Sequence, residues 1–218
     1  MEVRDSYYEM ISPEERNCYD QMYSAILSRT NCTMSGVNAE DVGNAYKAIA
    51  FDHPEILYHP GLLQRLQLMG NTVNVVIGYS EPNQDEFDRE LNEIIQVLYN
   101  RISRAESDYE RYKIIYDYLT EDVEYNFDVL NEYMRVLKSS NDRGHSGRQM
   151  TSADSEIAQT IASFINENSD NFTPYGIIVN KKGVCMGIAK TYKILCDSFG
   201  LPCICVQAVD KRQGVEHL

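Results

Sequence analysis

The sequence predicts an α+β chain that is mainly helical and opens with a small α+β unit. Three observations predict it. Apolar residues recur at helical spacing through several long stretches, and most of these stretches start at a residue suited to capping a helix. Two apolar runs, Leu62 to Leu68 and Thr72 to Tyr79, flank Met69-Gly70-Asn71 as the arms of a hairpin would. A third run, Leu201 to Val209, follows the helix stop Gly200 and reads as a strand.

Taken in order, Ser12-Pro13-Glu14-Glu15 is a capping box with proline at the first helical position, and Tyr19, Met22, Tyr23, Ile26 and Leu27 mark one apolar face behind it. A second helix follows Asn38, carries Val42, Ala45, Tyr46, Ile49 and Ala50, and ends near Asp52-His53-Pro54. The hairpin comes next, and the N-terminal unit closes near Ser80-Glu81-Pro82-Asn83. A longer helix bears Phe87, Leu91, Ile94, Ile95, Leu98 and Ile102. Ser107 caps another, with Tyr112, Ile115, Tyr116 and Leu119 on its face. Residues 128–137 read as helix, Ser139 to Asp154 as a polar, glycine-containing surface loop, and Ile157, Ile161, Phe164 and Ile165 as one helical face. Thr173-Pro174 opens a short helical turn through Val179. The helix after Cys185 carries Ile188, Ala189, Tyr192, Leu195, Cys196 and Phe199 and stops at Gly200-Leu201-Pro202. Val215 to Leu218 reads as the start of a hairpin partner for the last strand.

Composition narrows the function classes. With 218 residues, 43% hydrophobic and 24% charged, the chain can build a sizeable core, so it is not a disordered tail. Its formal charge of −13 is spread along its length, with five basic and twelve acidic side chains in residues 1–85 and fifteen and twenty-one in residues 86–218. Neither part offers the clustered Lys and Arg on which nucleic-acid or anionic-membrane binding depends. No apolar run approaches the roughly 20 residues of a membrane span, and Met1 to Asp5 has no signal-peptide character. A soluble chain is expected, with the compartment left open between the cytoplasm and export after removal of an upstream signal.

Six cysteines, at 18, 32, 185, 196, 203 and 205, form neither a disulfide framework nor a CxxC zinc pair, so reduced thiols and no metal site are expected. Cys203 and Cys205 read as small buried hydrophobes of the last strand. Cys185 differs from the rest, because Lys182-Gly183-Val184-Cys185-Met186-Gly187-Ile188-Ala189 sets it after a glycine turn and in the first turn of a helix. Unpaired amides and the positive end of the helix dipole favour a thiolate at such a position, and the same amides can hold an oxyanion. A buried, inert thiol is the alternative that this position alone leaves open. His53, His59 and His145 fall in turns or polar loops and read as structural or solvated. The sixteen tyrosines read as packing residues.

The run Tyr175-Gly176-Ile177-Ile178-Val179-Asn180-Lys181-Lys182-Gly183-Val184-Cys185-Met186-Gly187-Ile188-Ala189-Lys190, then Gly200-Leu201-Pro202-Cys203 and Val215-Glu216-His217, resembles the bacterial transglutaminase-like superfamily of papain-like cysteine enzymes. Lys113 to Leu119 and Val123-Glu124-Tyr125-Asn126 are similar to the stretch that precedes that core, and Ala50 to Glu55 to an N-terminal segment of some bacterial members. The resemblance implies a cysteine helix packed on antiparallel strands, Cys185 as nucleophile and His217 as general base and acid. It also implies that the Cys185 amide serves as an oxyanion donor, and it offers Tyr175 either as a second contributor to that pocket or as a packed core tyrosine. No cofactor and no metal are implied. The substrate would be a protein or peptide amide, cleaved through a thioester that water or a second amine resolves.

The division implied is 1–85 as an N-terminal α+β accessory region and 86–218 as the transglutaminase-like domain. Family members continue past the histidine to a strand bearing an aspartate, and the sequence given stops one residue after His217. The expectation is therefore an incomplete core with impaired catalysis and an unpaired C-terminal strand edge inviting a homodimer. The alternative is a catalytically inactive module of the same fold that binds a peptide or protein partner.

Overall fold

The computed structural model describes residues 6–57, 63–69, 72–77, 83–141, 163–164, 167–206, 208–210 and 215–217. It is mainly helical with a few short strands, as expected. The first six elements are α1 (Ser6–Met10), α2 (Pro13–Leu27), β1 (Cys32–Ser35), α3 (Ala39–Asp52), β2 (Leu63–Met69) and β3 (Thr72–Ile77). At the start of α2 the Ser12 hydroxyl accepts from the Glu15 amide at 3.2 Å, while the Glu15 carboxylate accepts from the Ser12 amide at 2.7 Å. This reciprocal cap is worth about 1 kcal/mol. Helix α3 is capped likewise, by Asn38 accepting from the Asp41 amide at 2.8 Å. Both helices turn their apolar stripes inward, and Cys18, Met22 and Ile26 of α2 meet Val42, Ala45 and Ile49 of α3 over Val73, Val75 and Ile77 of β3.

The hairpin forms as β2 paired antiparallel to β3, and a third strand, β1, adds to the other side of β3. Four residues, Cys-Thr-Met-Ser, are too short and too weakly β-branched for sequence to separate them from a loop. What holds them is alternation: Cys32 and Met34 point into the core, while Thr33 and Ser35 face outward and meet Asn74 and Thr72. Helix α1 is likewise absent from the sequence expectation. It is fixed from a distance by Asp52, whose two carboxylate oxygens accept the amides of Tyr7 and Tyr8 at 3.0 Å each. A buried carboxylate is thereby satisfied by the positive end of a helix.

The second group comprises α4 (Gln84–Ile102), α5 (Asp108–Asp122), β4 (Glu124–Tyr125), α6 (Phe127–Asn141), α7 (Ser169–Phe172), α8 (Pro174–Ile178), β5 (Lys182–Gly183), α9 (Cys185–Ser198), β6 (Ala208–Asp210) and β7 (Val215–His217). Asn83 and Ser107 cap α4 and α5. A separate core gathers Phe87, Leu98, Ile115, Leu119, Ile177, Ile178 and Leu195. Each large side chain removed from water there contributes about 1.5–3 kcal/mol. Among the described residues, helix α9 packs chiefly against α5, α7 and α8. Most of the expected loop at 139–154 and the expected helical face from Ile157 to Ile165 lie outside the described residues.

The end of α9 matches its sequence signal closely. Gly200 adopts φ 67°, the Leu201 amide donates to the Cys196 carbonyl at 2.9 Å, and the Gly200 amide donates to that of Asp197 at 3.0 Å, which together make a Schellman motif. The expected strand from Leu201 to Val209 is only partly realised. Residues 208–210 pair with β7, but 201–206 have no strand partner among the described residues. Pro202 has no amide to give to a ladder, and side chains take the carbonyls instead: Tyr112 donates to Pro202 at 2.7 Å, and the Tyr7 hydroxyl to Cys205. No helix among the described residues is long and apolar enough to cross a membrane.

Candidate active site

Cys185 is the first residue of α9, as its sequence position implies, and it is half-buried. Val184 precedes it in extended geometry and has no side-chain acceptor, so the helix starts without a side-chain cap. Two glycines permit the approach around it. A Cβ on Gly183 would sit 2.5 Å from the Ile177 side chain and 2.9 Å from the Asn171 carbonyl, and one on Gly187 would sit 2.9 Å from the Thr173 carbonyl. The glycines at 183 and 187 are thus a packing requirement, because the Asn171 and Thr173 carbonyls and the Ile177 side chain press against the start of α9.

A two-residue parallel pairing of β4 with β5 places a further group at the thiol. Glu124 pairs with Lys182 and Tyr125 with Gly183, and amide bonds from Glu124 to the Lys181 carbonyl and from Asn126 to the Gly183 carbonyl, each 2.8 Å, close the ladder. Asn171 ties the same corner together. Its side chain accepts from Asn126 at 2.7 Å and its carbonyl from the Val184 amide at 2.9 Å. The Tyr125 phenol oxygen then accepts the Cys185 amide at 3.3 Å. Burial raises the Tyr125 pKa above its usual value, and the neighbouring Cys185 sulfur raises it further. Beside it, Phe127 packs tilted against the Tyr125 ring at 4.8 Å and is 64% exposed, an apolar shelf next to the cysteine.

The other sequence candidates are placed differently. Tyr175 sits on α8 against the second core, and its hydroxyl donates to Glu86 of α4 at 2.7 Å. That bond pushes its pKa up to about 12 and commits the hydroxyl elsewhere, so the tyrosine held at the Cys185 amide is Tyr125. The Cys185 amide, expected as a free oxyanion donor, is engaged by that phenol. His217 ends β7 with Ala208 as its backbone partner, while its imidazole lies outside the described residues. His53 stacks on Tyr23 at 4.2 Å with its Nδ1 3.2 Å from Glu55, a structural role; His59 and His145 lie outside the described residues.

The remaining thiols fall into two groups. Cys18, Cys32 and Cys205 are buried, and burial raises their pKa values, to about 11 for Cys18 and Cys205. Cys196, near the end of α9, is buried, and Cys203, just beyond that end, is partly exposed. Among the described residues no group of three or more His, Cys, Asp and Glu could hold a metal ion. Helix α9 also buries two lysines that its apolar periodicity does not announce. Burial opposes the charge on Lys193, but Asp197 at 2.6 Å more than offsets this and holds the ammonium above its usual pKa. Lys190 is shifted the other way by burial, with Cys205 partly opposing the shift.

Sequence reasoning missed Tyr125 and Asn171 as parts of the cysteine corner. Val123-Glu124-Tyr125-Asn126 carried the only signal, a short extended run between two helices, and nothing in it says which distant segment it pairs with. No family model matches the chain, and no curated protein matches it.

Proposed function

We propose that this chain is a transglutaminase-like cysteine enzyme with a papain-like core in residues 86–218 and an accessory region in residues 1–85, acting on protein or peptide amides. In this reading the Cys185 sulfur attacks the amide carbonyl carbon. The tetrahedral oxyanion collapses with cleavage of the C–N bond, and the amine leaves with a proton supplied by His217. Water or a second amine, deprotonated by the same imidazole, then resolves the thioester. The observation that carries the reading is a half-buried thiol at the first position of a helix without a side-chain cap, beside a phenol and an exposed aromatic shelf. The sequence resemblance supports it at the same residues. No metal or organic cofactor enters the scheme.

Competitive alkylation tests it. Iodoacetamide at neutral pH is expected to modify Cys185 before the other five cysteines, Cys203 included, and an activated ester is expected to leave an acyl group on Cys185 that Cys185→Ala abolishes. Equal labelling across the six thiols, with no acyl adduct, contradicts it. A second reading, a catalytically silent module that binds a peptide or protein partner, is favoured by one observation: the Cys185 amide already donates to Tyr125. Peptide binding unchanged by Cys185→Ala, with no turnover, would select that reading.

A further inference from the structure

Tyr125 meets the start of α9 through its phenol oxygen, which accepts the Cys185 amide at 3.3 Å. A phenol carries a proton to donate as well as lone pairs to accept with. Among the described residues no oxygen or nitrogen takes the Tyr125 proton. Backbone pairing fixes where that hydroxyl stands: Tyr125 lies opposite Gly183 in the β4–β5 ladder, the next amide, of Asn126, donates to the Gly183 carbonyl at 2.8 Å, and Phe127 packs on the ring at 4.8 Å. A protonated hydroxyl is thus held at the amide of the cysteine by a segment sixty residues away.

We propose that Tyr125 is a catalytic residue of this site, the hydroxyl donor that joins the Cys185 amide in holding the tetrahedral oxyanion. The inference rests on Cys185 being the nucleophile and adds to that reading the second donor that Tyr175, tied to Glu86, does not supply. The spacing suits the task. At 3.3 Å the amide bond is longer than the usual 2.9–3.0 Å, so the phenol oxygen does not hold the N–H tightly. An oxygen placed about 2.9 Å from both the amide nitrogen and the phenol oxygen completes a nearly equilateral triangle and accepts from both, at the distance an oxyanion pocket needs.

The step balances without a proton changing owner at Tyr125. As the Cys185 sulfur bonds to the carbonyl carbon, the C=O π pair moves onto oxygen. The amide then shares its hydrogen between the phenol and that oxygen, as a three-centre bond, while the hydroxyl turns its O–H toward the new charge. When the leaving group departs with its bonding pair, the oxygen returns its own pair to carbon, and the phenol is again an acceptor for the Cys185 amide. Burial and the neighbouring sulfur raise the Tyr125 pKa, so the phenol keeps at neutral pH the proton it donates. A hydroxyl can play both parts, which neither a carbonyl nor a second amide can.

Tyr125→Phe tests it, since the ring and its packing on Phe127 stay while the oxygen goes. Two reactions of Cys185 separate the possible roles of that oxygen. Iodoacetamide loses iodide from a saturated carbon and forms no oxyanion, whereas 4-nitrophenyl acetate acylates the thiol through one. In the variant, acylation of Cys185, read by peptide mapping, is expected to slow by about 10²-fold, the scale of one oxyanion donor. Its alkylation by iodoacetamide is expected to keep the rate of the unsubstituted chain, with Cys18, Cys32, Cys196 and Cys205 still protected, which shows that the variant is folded. Acylation that is unchanged or faster overturns the proposal and makes the phenol a plug on the amide. An equal fall in both reactions also overturns it, because the oxygen then acts on the thiol and not on the oxyanion. If the unsubstituted chain takes no acyl group on Cys185, the nucleophile reading falls and this inference with it.

Discussion

Helices α3 and α9 are each fourteen residues long and each lies at the centre of its own core, yet they are built on opposite terms. Helix α3 has a side-chain cap at Asn38, acidic residues in its first turn, and a buried face of Val42, Ala45, Tyr46, Ala48 and Ile49. Its one buried carboxylate, Asp52, is matched by the amides of α1. Helix α9 begins at Val184 with no cap, has no acidic residue in its first turn, and buries Lys190, Thr191 and Lys193 along with Leu195. Apart from Gly43, the local choices at the start of α3 favour the helix, whereas α9 departs from the same rules at its first turn, around the cysteine. Such departures cost stability, and they gather where a thiol, a phenol and close backbone contacts are brought together.

The two cores themselves give the largest test of that contrast. Met22→Ala in the first and Leu195→Ala in the second each remove a fully buried side chain and should each cost about 2–5 kcal/mol in denaturant unfolding. A loss under about 1 kcal/mol at either site would mean that this core is not packed as described. A glycine pair separates the helices more sharply. In α3, a methyl on Gly43 meets nothing within 4 Å, so Gly43→Ala should stabilise by about 0.4–1 kcal/mol. In α9, a methyl on Gly187 meets backbone carbonyls at 2.9 and 3.0 Å, and Gly187→Ala should destabilise by about 1–3 kcal/mol. Effects of the same sign would erase the distinction.

Lys190 provides a pH test. Burial lowers its folded-state pKa below the unfolded value, so the unfolded chain binds the proton more readily between the two. Its contribution therefore makes stability rise with pH across that interval, up to about 10.5, the ordinary lysine value. Lys190→Met should raise stability at neutral pH by about 1 kcal/mol or more and flatten the slope. A steeper slope in the variant would contradict the sign. The N-terminal cap completes the series: Ser12→Ala should cost about 1 kcal/mol. The Glu15 carboxylate, held below its usual range by the Ser12 amide and by Asn44, stabilises the fold above its unfolded-state pKa. That contribution, a few tenths of a kcal/mol at this partly exposed site, is lost as pH falls through the folded-state value.

The capped helices were legible because their signals are local. Ser12 to Glu15, Asn38 and Ser107 each announce a boundary within four residues, and the Gly200 stop does the same for the end of α9. The hairpin at 63–77 was legible for the same reason. Four-residue β1 and two-residue β4 and β5 were not, since each exists only through a partner far along the chain and carries almost no period of its own. The last strand was overdrawn because apolar alternation from Leu201 to Val209 reads the same whether the inward face meets a sheet or, as residues 201–206 do, a helix. At the candidate site, Cys185 was visible from its glycines and helix position. Tyr125 was not visible, because a parallel pairing across sixty residues decides its place, and Tyr175 was drawn away by Glu86, a partner no spacing rule reveals.

Competitive labelling of the six thiols in the folded chain, resolved cysteine by cysteine, bears most directly on whether Cys185 is the nucleophile. The expected order puts Cys185 first, Cys203 behind it, and the buried Cys18, Cys32, Cys196 and Cys205 last until the chain is unfolded. Cys185 reacting no faster than those buried thiols would contradict the account.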